Sequence, residues 1–250
     1  MSSARRAAAP AFLAELIALG APSRLCARLN AILRKGHPGD QDRIYHSLAH
    51  SYEVAELTAR ELHSWPKVPA GRKVLLILAA ALHDLDPERA PGTLARVSGT
   101  LEQFSKNAAL RGLIADFGAR FGFTGEQAAA LVMATDYSAH PGERAKKFRA
   151  FRRAHREAFG ADPWIEEWGR RLAYWDQIAT YLRNTPAQAR RRIAGLGREL
   201  RAERVRPGAG LKELSLKFLA GLRRDPLFSY LTAADRRRFD AVVRALKVSA

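Results

Sequence analysis

The chain has one cysteine, Cys26, so it can form no internal disulfide and falls outside the disulfide-stapled secreted scaffolds. Cys26 sits in a segment of helical periodicity, Ser23 to Lys35, and reads as a small buried hydrophobe. Twelve prolines and eighteen glycines among 250 residues are too few for a fibrous or low-complexity protein. Long apolar runs are missing too. The longest, Val74 to Leu82, falls far short of the ~20 residues a membrane span needs, so no membrane partner is expected. The apolar stretch Ala11 to Leu19 is broken by Glu15 and shows no cleavage pattern, so a cytoplasmic location is expected. Acidic residues are scarce: 25 Asp and Glu against 42 Lys and Arg leave a formal charge of +17. Such a field draws in anions, and nucleotides, nucleic acids and acidic lipids all qualify. The runs Arg190–Arg192 and Arg236–Arg238 fit solvated helix faces equally well.

Hydrophobic residues make up 47% of the chain, enough to bury a sizeable core. Almost every segment repeats at the helix period, and no alternating β-branched run stands between turns. Thr124 to Gln127 and Thr185 to Gln188 have the form of capping boxes, and Asp162-Pro163 opens a further helix. Breaks are expected at 36–42, 66–71, 87–92, 122–125, 141–142 and 206–210. The pattern predicts one all-α domain over 1–250, with about nine or ten irregularly packed helices. Arg72 to Leu82 is apolar nearly all round and should be the central buried helix. Leu48 to Trp65 is amphipathic, and steps of four, four and three place His46, His50, Val54 and Leu57 on one face.

The central helix delivers His83-Asp84 at its C-terminal end. An ionised carboxylate there is disfavoured by apolar surroundings and by the helix dipole, so a divalent cation or an arginine must sit beside it. His46 and His50 share a face at i, i+4. That spacing recurs in zinc proteases, but those need a glutamate where Ser47 stands. Asp176 borders the inward stripe of Trp168, Leu172, Trp175, Ala179 and Leu182, and it too calls for a cation. Two histidines and two aspartates form a nitrogen–oxygen ligand set that suits Zn, Fe, Mn or Mg.

In order and spacing, His50, His83-Asp84 and Asp176 resemble the signature of the HD superfamily of metal-dependent phosphohydrolases, over roughly Arg43 to Leu182. The site is most similar to the catalytic domain of class I cyclic-nucleotide phosphodiesterases. Three stretches carry that likeness: Tyr45 to His50, Ala79 to Asp86, and Ala134-Thr135-Asp136-Tyr137-Ser138-Ala139-His140. The resemblance implies an HD-like all-α domain with its metal-site core in 43–182 and a helical extension over 183–250. It implies that His50, His83, Asp84 and Asp176 hold a first divalent ion and that Asp84 bridges to a second. His46 would be the general acid, and Asp86, Asp136 and His140 would lie behind the ligands or in the pocket. Ser47 stands where that family has asparagine, and Pro87 where it has histidine. No counterpart of its purine-clamping glutamine follows Asp176. The tail Arg223 to Phe228 is similar instead to small bacterial HD phosphohydrolases. The expected activity is hydrolysis of a phosphate ester, diester or monoester, of the nucleotide class. The alternative is a metal-containing domain that binds nucleic acid or a nucleotide without cleaving it. Arg144, Lys146, Lys147, Arg149, Arg152 and Arg153 follow the third stretch directly, in a helix expected beside the pocket mouth with Phe148, Phe151 and His155 turned inward.

Overall fold

The computed structural model describes residues 10–37, 45–88, 97–136, 141–160, 162–202 and 210–248. These form twelve α-helices and no strand. In chain order they are α1 Ala11–Ala18, α2 Ser23–Gly36, α3 Leu48–His63, α4 Ala70–Leu82, α5 Val97–Lys106 and α6 Ala108–Phe121. There follow α7 Gly125–Met133, α8 Pro141–Phe159, α9 Pro163–Arg183, α10 Pro186–Ala202, α11 Leu211–Arg224 and α12 Ala233–Val248. A short 3-10 turn, Pro226–Tyr230, separates the last two; Asp225 opens it by accepting from the Leu227 amide at 2.9 Å.

The helix starts follow local chemistry. Thr124 and Gln127 exchange side-chain and backbone hydrogen bonds at the head of α7, and Thr185 and Gln188 do the same before α10. Each pair satisfies amide groups that the first helical turn leaves without partners. The chain has more helices than its breaks predict. One extra division falls at Asn107, whose side chain accepts from the Leu110 amide and caps α6 with neither Gly nor Pro nearby. Gly122 ends α6 at φ 76°, a left-handed conformation that glycine adopts without a steric cost.

Helix α4 is the axis of the fold. Every side chain from Val74 to Leu82 is buried, as its apolar run predicts. It packs against α3, α6, α7 and α9, and α3 packs in turn on α9. Cys26 is buried within α2. The C-terminal helices close over the same core, with α10 and α12 against α9 and α11 against α12. Arg236, Arg237 and Arg238 are exposed as expected, but Arg192 is not a solvated charge. It reaches Glu53 of α3 at 2.8 Å, and only 11% of its side chain is exposed. No described helix is long and apolar enough to cross a membrane.

Helix α8 lies along α7 and α9 with Phe151 and His155 buried. Gly169 makes the approach possible: a Cβ on that residue would run into the edge of the Phe151 ring.

Candidate metal centre

Three helices bring the chemistry to one point. Helix α3 begins at Leu48 and presents His50 in its first turn; α4 ends at Leu82 and hands over His83 and Asp84; α9 supplies Asp176 from its middle. His46 is not on the helix. Ser47 is the N-cap, extended in backbone, and its hydroxyl accepts from the His50 amide at 3.4 Å. The i, i+4 spacing therefore does not place His46 by helical geometry. The helix begins only after the capping serine and leaves His46 outside it, yet the two imidazoles still stand 6.3 Å apart, edge to face.

His50 Nε2, His83 Nε2 and a carboxylate oxygen of Asp176 all lie within 4.8 Å of one another, so this triad could hold a metal ion. Asp176 Oδ1 is 2.9 Å from His50 Nε2 and 3.1 Å from His83 Nε2. Asp84 Oδ2 joins the group at 3.2 Å from His83 Nε2 and 3.9 Å from His50 Nε2. Donor atoms bound at about 2.1 Å around one ion stand about 3.0–3.4 Å apart, so the two His83 separations fit a shared cation, His50–Asp176 is slightly shorter and His50–Asp84 is longer.

The opposite edges of the imidazoles are anchored in protein. His83 Nδ1 donates to the Ala80 carbonyl at 2.8 Å. A carbonyl only accepts, so Nδ1 carries the proton and Nε2 faces the carboxylates with a lone pair unless the ring is charged. His50 Nδ1 lies 3.3 Å from the Thr180 hydroxyl, one turn beyond Asp176 on α9. Backing of this kind orients metal-binding histidines and sets their tautomer. The His83 carbonyl is satisfied by the Thr100 hydroxyl of α5 at 2.9 Å.

Of the inner edges, His50 Nε2 bonds Asp176 Oδ1 at 2.9 Å, and two other atoms are unsatisfied. His83 Nε2 and Asp84 Oδ2 are buried and make no hydrogen bond. Buried polar atoms normally find partners, and donor atoms of this kind suit a cation. Opposite charges and the hydrogen bond from His50 to Asp176 at 2.9 Å draw the cluster together. Burial opposes the His83 imidazolium, but Asp84 and Asp176 outweigh it and raise its pKa well above the ordinary value. Burial likewise opposes both carboxylates. His83, His46 and His50 nonetheless hold Asp84 well below its usual range, and His83 and His50 lower Asp176. A bound metal would need both imidazoles as neutral ligands.

The other residues singled out by sequence have separate places. His46 Nδ1 donates to Glu199 Oε2 at 2.5 Å, and its ring lies near enough to Asp84 to lower that carboxyl. Asp86 is buried against the first turn of α5, where its carboxylate fills the space a Cβ on Gly99 would need. Asp136 does not join the cluster of described ligands. It accepts from Lys147 Nζ at 2.6 Å and lines a cavity of about 510 Å³ between α7, α8, α9 and α11. His140 lies outside the described residues.

Sequence inspection missed three neighbours of the site. Glu199, 1% exposed, holds both the Tyr45 amide at 3.2 Å and the His46 ring. Its signal was faint: it is the one acid on the arginine-rich α10. Tyr45 is buried with its ring 4.9 Å from His46 and 5.3 Å from His50. Burial, then Tyr181, Asp176 and Asp84, push its phenol well above the ordinary value, so it stays neutral. Thr180 could have been found from its spacing of four from Asp176.

Comparison of the chain with family models, with curated proteins and with solved structures finds no match. Fold and site together define an all-α protein carrying a candidate His–His–Asp metal centre.

Proposed function

We propose that the protein is an HD-type metal-dependent phosphohydrolase that cleaves a phosphate ester of the nucleotide class with water. One observation supports this above the others. His50, His83, Asp84 and Asp176 converge at ligand spacing with His83 Nε2 and Asp84 Oδ2 buried and unsatisfied, and His46 stands at the edge of the group. In this reading those four residues would hold a divalent ion, and Asp84 would be the carboxylate available to a second. Bound there, a divalent ion supplies a water activated near neutral pH and charge to neutralise phosphate oxygens.

The chain's own groups do the rest. His46 is the proton donor to the leaving oxygen, a task that suits imidazole near neutral pH. Its Nδ1 is tied to Glu199, which turns Nε2 away from α10 and stabilises the ring when charged. Tyr45 excludes water from the inner side of both rings. A binding domain without catalysis has no use for a proton donor backed by a buried carboxylate.

The test is turnover of a bis-nitrophenyl phosphate and of nitrophenyl phosphate by the chain loaded with Zn, Fe, Mn or Mg in turn. Metal-dependent release of nitrophenol, lost in His83→Ala, is expected. A stoichiometrically loaded chain that hydrolyses neither ester, nor any nucleotide phosphate, would refute the proposal.

A further inference from the structure

Helix α8 turns its apolar side inward and a row of cations outward. Lys146, Arg149, Arg153 and Arg156 are exposed, and steps of three, four and three align them along one side of the helix. The row is about 15 Å long at the helical rise. Two neighbouring cations are engaged: Lys147 bonds Asp136, and Arg152 reaches Glu166 at 3.0 Å. The four in the row have no carboxylate partner among the described residues. Glu157 is the one acid in the shallow groove of about 340 Å³ that the arginines form. Like charges at these spacings repel along a helix, so the row lowers the stability of α8 unless an anion lies across it.

We infer that this row binds a single-stranded nucleic acid, with backbone phosphates along α8 and one end of the strand turned into the cavity on the helix's other flank. A straight row of cations suits a linear polyanion better than one phosphate, which would need donors converging on a point. Three of the four are arginines, whose planar forks pair with phosphate oxygens. A membrane surface fits less well. The described outward positions of α8 carry no large apolar side chain to insert among lipids.

The cavity argues for one strand over two. Lys147 and Phe151 line it from the same helix, and Tyr174, Gln177 and Phe218 from the opposite walls. Its roughly 510 Å³ lies within the ~300–1,000 Å³ of small-molecule pockets, room for a single nucleotide and not for a base-paired end. Of its aromatic rings Phe218 is half-buried, and a ring at a cavity wall is a surface on which any base can stack. Gln177 of the cavity wall is the chain neighbour of Asp176 on α9, although none of His46, His50, His83, Asp84 or Asp176 lines the cavity. Cleavage of the strand rests on the phosphohydrolase reading; its binding does not.

The experiment measures binding of a fluorescein-labelled single strand of mixed sequence to the chelator-treated full chain, by anisotropy, between about 50 and 200 mM salt. Each phosphate neutralised on a single strand contributes about −0.7 to the slope of log affinity against log salt. Four contacts therefore predict a share of about −3, and the variant K146A/R149A/R153A/R156A should lose that share and bind at least about tenfold more weakly. Circular dichroism and metal content of the variant check that the fold is kept. A slope unchanged by the four substitutions overturns the inference. So does equal affinity for a duplex of the same length, or binding to anionic vesicles without binding to the strand. Turnover of the nitrophenyl diester separates the two proposals. A chain that hydrolyses the ester but holds no strand overturns only this inference. A chain that holds the strand but cleaves no ester overturns only the phosphohydrolase reading.

Discussion

Replacing Glu199 by glutamine isolates the contact that ties the C-terminal helices to the candidate chemistry. Glu199 accepts twice, from the Tyr45 amide at 3.2 Å and from His46 Nδ1 at 2.5 Å, and it is 1% exposed. The two bonds go to different oxygens, and glutamine, of nearly the same shape, has an NH2 in place of one of them, so it cannot keep both. Tyr45 or the His46 ring must then face an amide nitrogen. A hydrogen bond to a charged group is worth about 1.5–3 kcal/mol, and about 1.4 kcal/mol is tenfold in rate. If that energy is felt in the transition state, turnover falls about 10- to 150-fold. The loss should depend on the leaving group. Alkyl phosphate esters need a proton on the departing oxygen and should show the full effect, whereas nitrophenyl esters leave unaided and should show little. Metal content should match the unaltered chain, since Glu199 is not among the clustered ligands. The assay is kcat for a paired series of alkyl and aryl esters with metal measured in the same samples. Equal losses across the series would refute the role given to His46 and Glu199. A change of less than about threefold for the alkyl esters would refute the coupling energy.

Two further outcomes follow from the same geometry. In the metal-free chain His83 is raised, so its contribution to stability is whole below about pH 6.5 and is lost as pH rises through its folded value. Asp84 and Asp176 are lowered, so theirs is present above the ordinary 3.8 and lost as pH falls through their folded values. Chelated protein should therefore resist denaturant best between about pH 4 and 6.5, and added metal should remove the alkaline decline; a metal-free midpoint that climbs from pH 6 towards pH 9 would contradict this. Gly169→Ala puts a methyl into the Phe151 ring and should cost about 1–3 kcal/mol of stability by overpacking, read from denaturant midpoints, whereas an unchanged midpoint would mean α8 shifts freely on α9.

Much of the frame was legible because burial writes itself as periodicity. The run Val74 to Leu82 can only be a buried helix in an all-α chain, and it is. Its end then had to place His83 and Asp84 together at the core's margin, which is where they lie. Pairings between distant segments leave no such trace. Glu199 is 153 positions from His46, and α10 reads as a surface helix from its arginines. Arg192 was misjudged for the same reason, since its partner Glu53 lies across the fold on α3. Helix α3 starts at Leu48 as its pattern predicts, but the spacing places His46 on its face wrongly. Two histidines four apart imply one helical face, but Ser47 between them is a better N-cap than a helix interior. Asp136, expected behind the ligands or in the pocket, lines a cavity and accepts from Lys147, eleven residues on.

The most direct measurement is elemental analysis of the full chain after loading with a divalent metal and removal of excess, beside Asp84→Ala and Asp176→Ala prepared in the same way. About one to two tightly held ions per chain are expected, with both variants losing metal and ester hydrolysis together. Retention of full occupancy in either variant would contradict the centre, as would an unaltered chain that holds no stoichiometric metal at any of the ions tested.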